Sequence, residues 1–432
     1  MPRIHPDELT LQNLVDSLRL AGLDRALLHL ASCPDCQTRT RVLAGADAGN
    51  ARPAGRVLAW PARPDYAPVL GRGSHDLLQR AAAFAHERTD AALRWSELAR
   101  LAPEAIEAAL EEDSRCRSWG FVEMLLEGSR ERMSRDATEA ERLAQLAYAQ
   151  VARLDAGFYG SARLNDLAAR CLGQIANSRH EGRDLPAAER AFADAEALLR
   201  SGTRDPLERA ELWSLRAALH RLQGRIQEAE HLLQRAFDIF RTAGEPHRAG
   251  RSQVGLADLA HLAGDGKRAI ERLRNALPMI DPAQEPGLEL IARHNLISFL
   301  AEAGLFLAGR RLLAESRAVY RRFTAPRVQW RRAWVEGRIA GGLGQLATAE
   351  RAFRIAREGL GREGLARDAA QVALELANVL LRQQRGREAG EIAEAADAHL
   401  RETAEGDGAR PLAPSPDFPF LGPGRSLFAG IG

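Results

Sequence analysis

The sequence predicts an all-α protein: a solenoid of stacked helical hairpins with a small metal-held helical module at its N-terminus. Three observations carry this. A period of about 40 residues runs through more than half of the 432-residue chain, a pair of small residues recurs within each period, and an HxxxCxxC spacing stands near the N-terminus.

The period is clearest around Trp213 to Phe237, WSLRAALHRLQGRIQEAEHLLQRAF. Ala229 and Ala236 lie seven residues apart on one helical face, five residues after the turn glycine Gly224. The first small residue returns as Ala269, Gly309, Ala349 and Ala389, the second as Ala276, Ser316, Ala356 and Ala396, the glycine as Gly264, Gly304 and Gly344. One unit earlier Ala188 and Ala195 keep the spacing within the pair but slip by one position against the period. A helical hairpin repeated this way buries its apolar face only against its neighbours, and small side chains let the helices approach closely.

Composition agrees. Hydrophobic residues make up 45% of the chain and aromatic ones only 5%, which suits helices packed through alanine rather than an aromatic core. The net charge of +2 points to neither nucleic acid nor membrane as partner. Of the 60 basic residues only Lys267 is a lysine, a bias read as coding composition rather than phosphate recognition. No run approaches the ~18 to 20 apolar residues that span a bilayer, and the N-terminus lacks the apolar core of a signal peptide, so a cytoplasmic protein is expected.

Residues 1–45 read as two or three short helices, with Asp7 capping the first and Asp24 opening another after Gly22. On a helix His29 and Cys33 present to one point and Cys36 follows a turn later. One imidazole and two thiolates are three of the four tetrahedral ligands that zinc prefers, and His5 is the candidate for the fourth. A segment this short needs such a staple because its own core is small. The competing reading is a CxxC turn beside a core histidine. A catalytic zinc is disfavoured because no glutamate base is spaced around these ligands, and a redox CxxC because no strand leads into it.

Residues 46–74, rich in Ala, Gly and Pro, read as a linker whose Val57, Leu58, Trp60, Tyr66, Val69 and Leu70 would dock on a neighbour. Residues 75–114 read as capping helices, with separate helices over 75–89 and 90–102. The array is placed at 115–402 in about seven hairpins. A first one carries Ala140 and Ala147, a short insertion falls near Gly157 to Gly160, and units follow over 159–200, 206–241, 246–281, 286–321, 326–362 and 366–402. Prolines at 206, 246, 282 and 326 mark the connections. Cys116 and Cys171 are expected to fill gaps between helices. Residues 403–432, dense in Gly and Pro, are expected to be a disordered tail, with Phe418, Pro419, Phe420, Leu421, Leu427 and Phe428 as a candidate docking motif.

Two resemblances sharpen this. Trp213, Ala217, His220, Ala229, Leu233 and Ala236 resemble the tetratricopeptide repeat (TPR), with His220 where that family carries a tyrosine and a longer period than that family's own. The resemblance implies a TPR-like right-handed helical solenoid whose concave face binds a protein or peptide. That family's groove-facing offsets fall on Arg221, Arg251, Asp258, His261, His294, Arg331, Trp334, Arg338 and Asn378. Arginines beside a tryptophan can grip a carboxylate-bearing peptide; the alternative is a polar face in which Arg331 and Arg338 pair with glutamates such as Glu336.

His5, His29, Cys33 and Cys36 are similar to the zinc-binding anti-sigma domain, over the segment 1–45. That implies bound zinc and contact with an RNA polymerase sigma factor, hence control of transcription. The chain departs from that family in having no transmembrane helix after the domain and in its fusion to a repeat array.

No nucleophile with its base, phosphate-cradling loop or convincing carboxylate pair is present, so no enzyme is expected; Gly337, Gly341 and Gly342 read as small residues required by packing. The expected function is cytoplasmic regulation by protein binding. The alternative is a TPR scaffold in which zinc only stabilises a small fold.

Overall fold

The computed structural model of the chain describes residues 67–133 and 136–406, together with Thr38. Among them every regular element is helical. The expected zinc ligands His5, His29, Cys33 and Cys36, most of the linker and residues 407–432 lie outside the described residues.

The repeat is visible in the helix boundaries. First helices occupy Pro206–Leu222 (α8), Pro246–Leu262 (α10), Pro286–Glu302 (α12), Pro326–Gly342 (α15) and Ala366–Arg382 (α17). Each is 17 residues long, and their starts are evenly spaced along the chain. Second helices begin at the same interval: Ile226–Thr242 (α9), Gly266–Ala276 (α11), Phe306–Glu315 (α13), Leu346–Arg362 (α16) and Gly386–Gly406 (α18). In the 206–245 unit both helices have 17 residues and the joints at 223–225 and 243–245 have three each. The extra length of the unit therefore lies in its helices and not in its connections.

The joints have one recurring geometry. Gly224, Gly244, Gly264, Gly304, Gly344 and Gly364 take φ between +72° and +80°, where a Cβ would be strained. The amide after each closes back on the helix, as Arg225 N to His220 O (2.8 Å), Asp265 N to Ala260 O (2.8 Å) and Gln345 N to Ala340 O (2.9 Å), which satisfies carbonyls that the helix end leaves open. Asp184, Asp205 and Asp265 cap the helices that follow them. Pro206, Pro246, Pro286 and Pro326 fill the first helical position, where no amide donor is needed.

Packing follows the small-residue pairs. Ala188, Ala195, Ala229, Ala236, Ala269, Ala276, Ala349 and Ala356 are all fully buried. Around them the apolar clusters join neighbouring hairpins: Leu233, Phe237 and Phe240 of α9 pack with Leu256 and Leu259 of α10. Truncating one such leucine to alanine costs about 2–5 kcal/mol.

Two second helices are interrupted. After α11 a short 3-10 turn over Leu277–Met279 holds Pro278, and α13 is followed by Arg317–Arg321 (α14) across Ser316, whose Oγ bonds the Leu312 carbonyl at 2.7 Å.

Two hairpins stand before these five units: Ser161–Glu181 (α6) with Leu185–Ser201 (α7), and before them Trp119–Arg132 (α3) with Ala137–Val151 (α4). Between the two hairpins lies a single helical turn, Ala156–Tyr159 (α5), ended by Gly160 at φ +86°.

The N-terminal side differs from expectation. One helix, α1, runs unbroken over Ala67–Leu98, taking in the end of the stretch expected as linker and merging two expected helices. Thr89 does not cap a new helix; its Oγ1 back-bonds to Ala85 O at 3.1 Å and leaves the helix intact. A further helix, α2, covers Pro103–Glu112. Glu87 of α1 accepts from the Tyr159 hydroxyl (2.8 Å) and from Gly120 N (3.2 Å), which seats α1 on the first hairpin. At the other end α18 extends to Gly406, past the expected limit of 402. Cys116 and Cys171 are fully buried, and burial pushes the Cys171 thiol up to about 12.

Candidate functional site

The first helices of successive hairpins lie side by side, and one row of their polar side chains is joined by charge across each junction. Arg221 of α8 approaches Asp258 of α10 (3.8 Å). Arg331 of α15 donates to Asp368 of α17 (2.8 Å). Arg338 donates to both oxygens of Glu375, at 2.8 to 3.0 Å. In each case the acid stands 37 residues after the base, one helical turn short of the full period. Arg251 pairs instead with Glu285, which His247 also approaches at 3.4 Å. Burial pushes the Glu285 carboxyl up, but Arg251 and His247 outweigh it and hold the carboxyl below its ordinary value.

The row widens into a cavity of about 570 Å³ between α10, α12, α15 and α17. Arg338 is its centre. Besides Glu375 it reaches Glu302 (2.9 Å) and Ser298 Oγ (3.0 Å) of α12, and its guanidinium lies 4.6 Å over the Trp334 ring. Trp334 Nε1 donates to Glu375 Oε1 at 3.0 Å. His261 stands 3.6 Å from Glu302 and stacks on Phe299 with ring centres 4.1 Å apart. Leu374, Phe306 and Phe353 add apolar wall, while Asn378, Gln371 and Arg382 line the other side.

Small residues let two rings of the wall lie directly against the α15 backbone. A Cβ on Gly337 would come within 2.6 Å of the Phe353 ring, and one on Gly342 within 2.2 Å of the Phe306 ring. These glycines are packing positions, in keeping with their sequence reading.

Of the nine residues expected to line a groove, His261, Trp334, Arg338 and Asn378 line this cavity. Arg221, Asp258, Arg251 and Arg331 belong to the charged junctions. His294 is buried, its Nδ1 2.9 Å from the Tyr320 hydroxyl, so it serves the core beneath that face. Arg331 and Arg338 pair with the next hairpin and not with Glu336, which is held by Arg332. Sequence reasoning missed Glu302, Glu375 and Phe306; the recurring spacing from arginine to acid was the signal that could have found Glu375. Among the described residues no group of three His, Cys, Asp or Glu side chains could hold a metal, and no helix is long and apolar enough to cross a membrane.

Comparison with known proteins supports the repeat. Residues 208–280 match the tetratricopeptide repeat family. The crystal structure of aspartyl phosphate phosphatase F from Bacillus subtilis is similar in fold, with 9% identity and a TM-score of 0.50 over 93% of this chain and 96% of that one. A signal transduction ATPase with a tetratricopeptide repeat sensor, from Pyrococcus horikoshii, aligns over 91% of this chain and 56% of its own length, with 14% identity and a TM-score of 0.48. No curated protein matches the sequence.

Proposed function

We propose that the protein is a regulator that acts by binding other proteins, and that the cavity around Arg338 takes a segment of the partner. The observation that carries this is the wall itself: four successive hairpins converge on one space with a tryptophan, an exposed leucine and a set of paired charges around it. A partner carboxylate could displace Glu302 or Glu375 from Arg338 and gain the same bidentate bonds, while an apolar side chain beside it would meet Leu374 and Phe306.

The finer part of the reading concerns the N-terminus. Two imidazoles and two thiolates from His5, His29, Cys33 and Cys36 form a donor set that suits a closed tetrahedral zinc site, and zinc would stabilise a small helical module there. Its resemblance to anti-sigma domains makes an RNA polymerase sigma factor the partner of that module, with the array sensing a second protein. In the competing reading zinc is structural and all recognition belongs to the array.

One experiment separates these. Full-length wild type, Asn378→Trp and the double variant Cys33→Ser, Cys36→Ser are used to capture partners from the native cell, with bound zinc quantified and captured proteins identified by mass spectrometry. The reading expects one zinc in wild type and in Asn378→Trp, and none in the cysteine variant. A sigma factor should be lost with the zinc, and a second partner should be lost on filling the cavity. Unchanged partners in the cysteine variant would assign recognition to the array alone; unchanged partners in Asn378→Trp would overturn the cavity reading.

A further inference from the structure

The inner face of the first helices is covered in every hairpin of the 206–382 stretch but one. Ser214, Val254, His294, Trp334 and Leu374 occupy the same place in successive units. The first four are buried, His294 to 1% and Trp334 to 2%, whereas Leu374 is 42% exposed. Seven residues on, Arg221, His261, Ala301, Gly341 and Leu381 are again equivalent, and Leu381 is 59% exposed. Between them Ala218, Asp258 and Ser298 are buried and Asn378 is exposed.

The cause is the neighbour. Asp258 reaches back to Arg221, Arg338 to Ser298, and Glu375 to Trp334 and Arg338, so each first helix is shielded by the next. No further first helix follows α17 among the described residues, and Leu374, Asn378 and Leu381 stand bare at spacings of four and three, on one helical face. The end unit of a solenoid leaves such a face apolar unless something caps it.

We propose that residues 407–432 of the same chain fold back over α17 and cover Leu374 and Leu381, in the place of the first helix of a further hairpin. Position supports this occupant: α18 ends at Gly406, about one turn beyond the point where the preceding second helices give way to a joint, so the segment leaves the array at the end from which the covering first helix sets out in the preceding units. Reach is sufficient. From Gly406 to Phe418 is about a dozen residues, or ~40 Å extended, against ~26 Å for the whole of α17. Composition fits as well, because Phe418, Phe420 and Leu421 bring apolar side chains to an apolar face, and the prolines among them suit an extended strap over a helix. Leu374 and Asn378 also line the cavity around Arg338, so the strap and a partner segment would compete there; Leu381 lies outside that lining, and the test is read at Leu381.

The test uses the full chain and a fluorescein-labelled peptide of residues 407–432, read by anisotropy. Wild type, whose face is covered in cis, should bind the added peptide at least tenfold more weakly than the variant Phe418→Ala, Phe420→Ala, Leu421→Ala. Adding Leu381→Asp to that variant, at an exposed position outside the core, should abolish the binding. Equal binding to wild type and the triple variant, no binding to either, or binding that survives Leu381→Asp would overturn the proposal. So would a wild-type dimer in light scattering that Leu381→Asp dissociates and the triple variant does not, since a second copy would then cover the face.

Discussion

Arg331 and Asp368 lie in different hairpins, 37 residues apart in sequence, and meet at 2.8 Å with both side chains over nine-tenths buried. A charge pair so placed is held by its partner more than by its surroundings. Asp368→Ala leaves the guanidinium buried without its acid and should cost about 3–5 kcal/mol in urea denaturation. The double variant Arg331→Met, Asp368→Leu, which removes both charges, should lose far less. An equal loss in both would show that the pair matters through packing alone.

His220 stands where the resembling family has tyrosine. Its burial, with Arg225 and Arg216 nearby, lowers its pKa below the ordinary 6.5. The unfolded chain therefore binds a proton that the folded one resists, so this histidine's contribution is full above pH 6.5 and falls as pH drops from there through the folded value. Urea midpoints at pH 7.5 and 5.5 should show wild type losing more stability on acidification than His220→Leu.

Three joints use a non-glycine residue where the others use glycine. Gln384, Arg204 and Arg183 take φ of +65°, +65° and +67°. Gln384→Gly and Arg183→Gly should each stabilise the protein by about 1 kcal/mol, because relief of left-handed strain exceeds the added backbone freedom of the unfolded chain. The same exchange in reverse, Gly264→Gln, should destabilise by a similar amount. Thermal unfolding checks all three.

Gly337→Ala drives a methyl into Phe353 from a position with a 2.6 Å approach. The ring must shift, and the expected cost is about 1–3 kcal/mol. Since Gly337 and Phe353 both line the cavity, partner capture should fall in this variant more than in an equally destabilised variant elsewhere, such as Leu233→Ala.

The array was legible because its constraint is periodic. Fully buried alanines seven apart and a left-handed joint recur from hairpin to hairpin, and each demands a narrow residue choice. The site was legible only in part for the opposite reason. Groove-facing offsets found Trp334 and Arg338, but whether a residue faces solvent depends on what the next hairpin lays over it. His294 takes the same register as Trp334 and Leu374, yet the Tyr320 hydroxyl holds it in the core. The unbroken α1 escaped notice because Thr89 can cap a helix or bond back into one, and only packing decides.

The two sides of each hairpin junction are held by different forces. On one side small, buried side chains, most of them alanines, let the helices pack closely; on the other, arginines and carboxylates meet through longer side chains that tolerate some change in separation. Flexing should therefore pivot on the alanine side while the charged side takes up the extension. Electrolyte then acts unevenly: at about 1 M salt, half-exposed pairs such as Arg268 with Glu230 should loosen, while the buried Arg331–Asp368 pair is screened far less and still holds its junction.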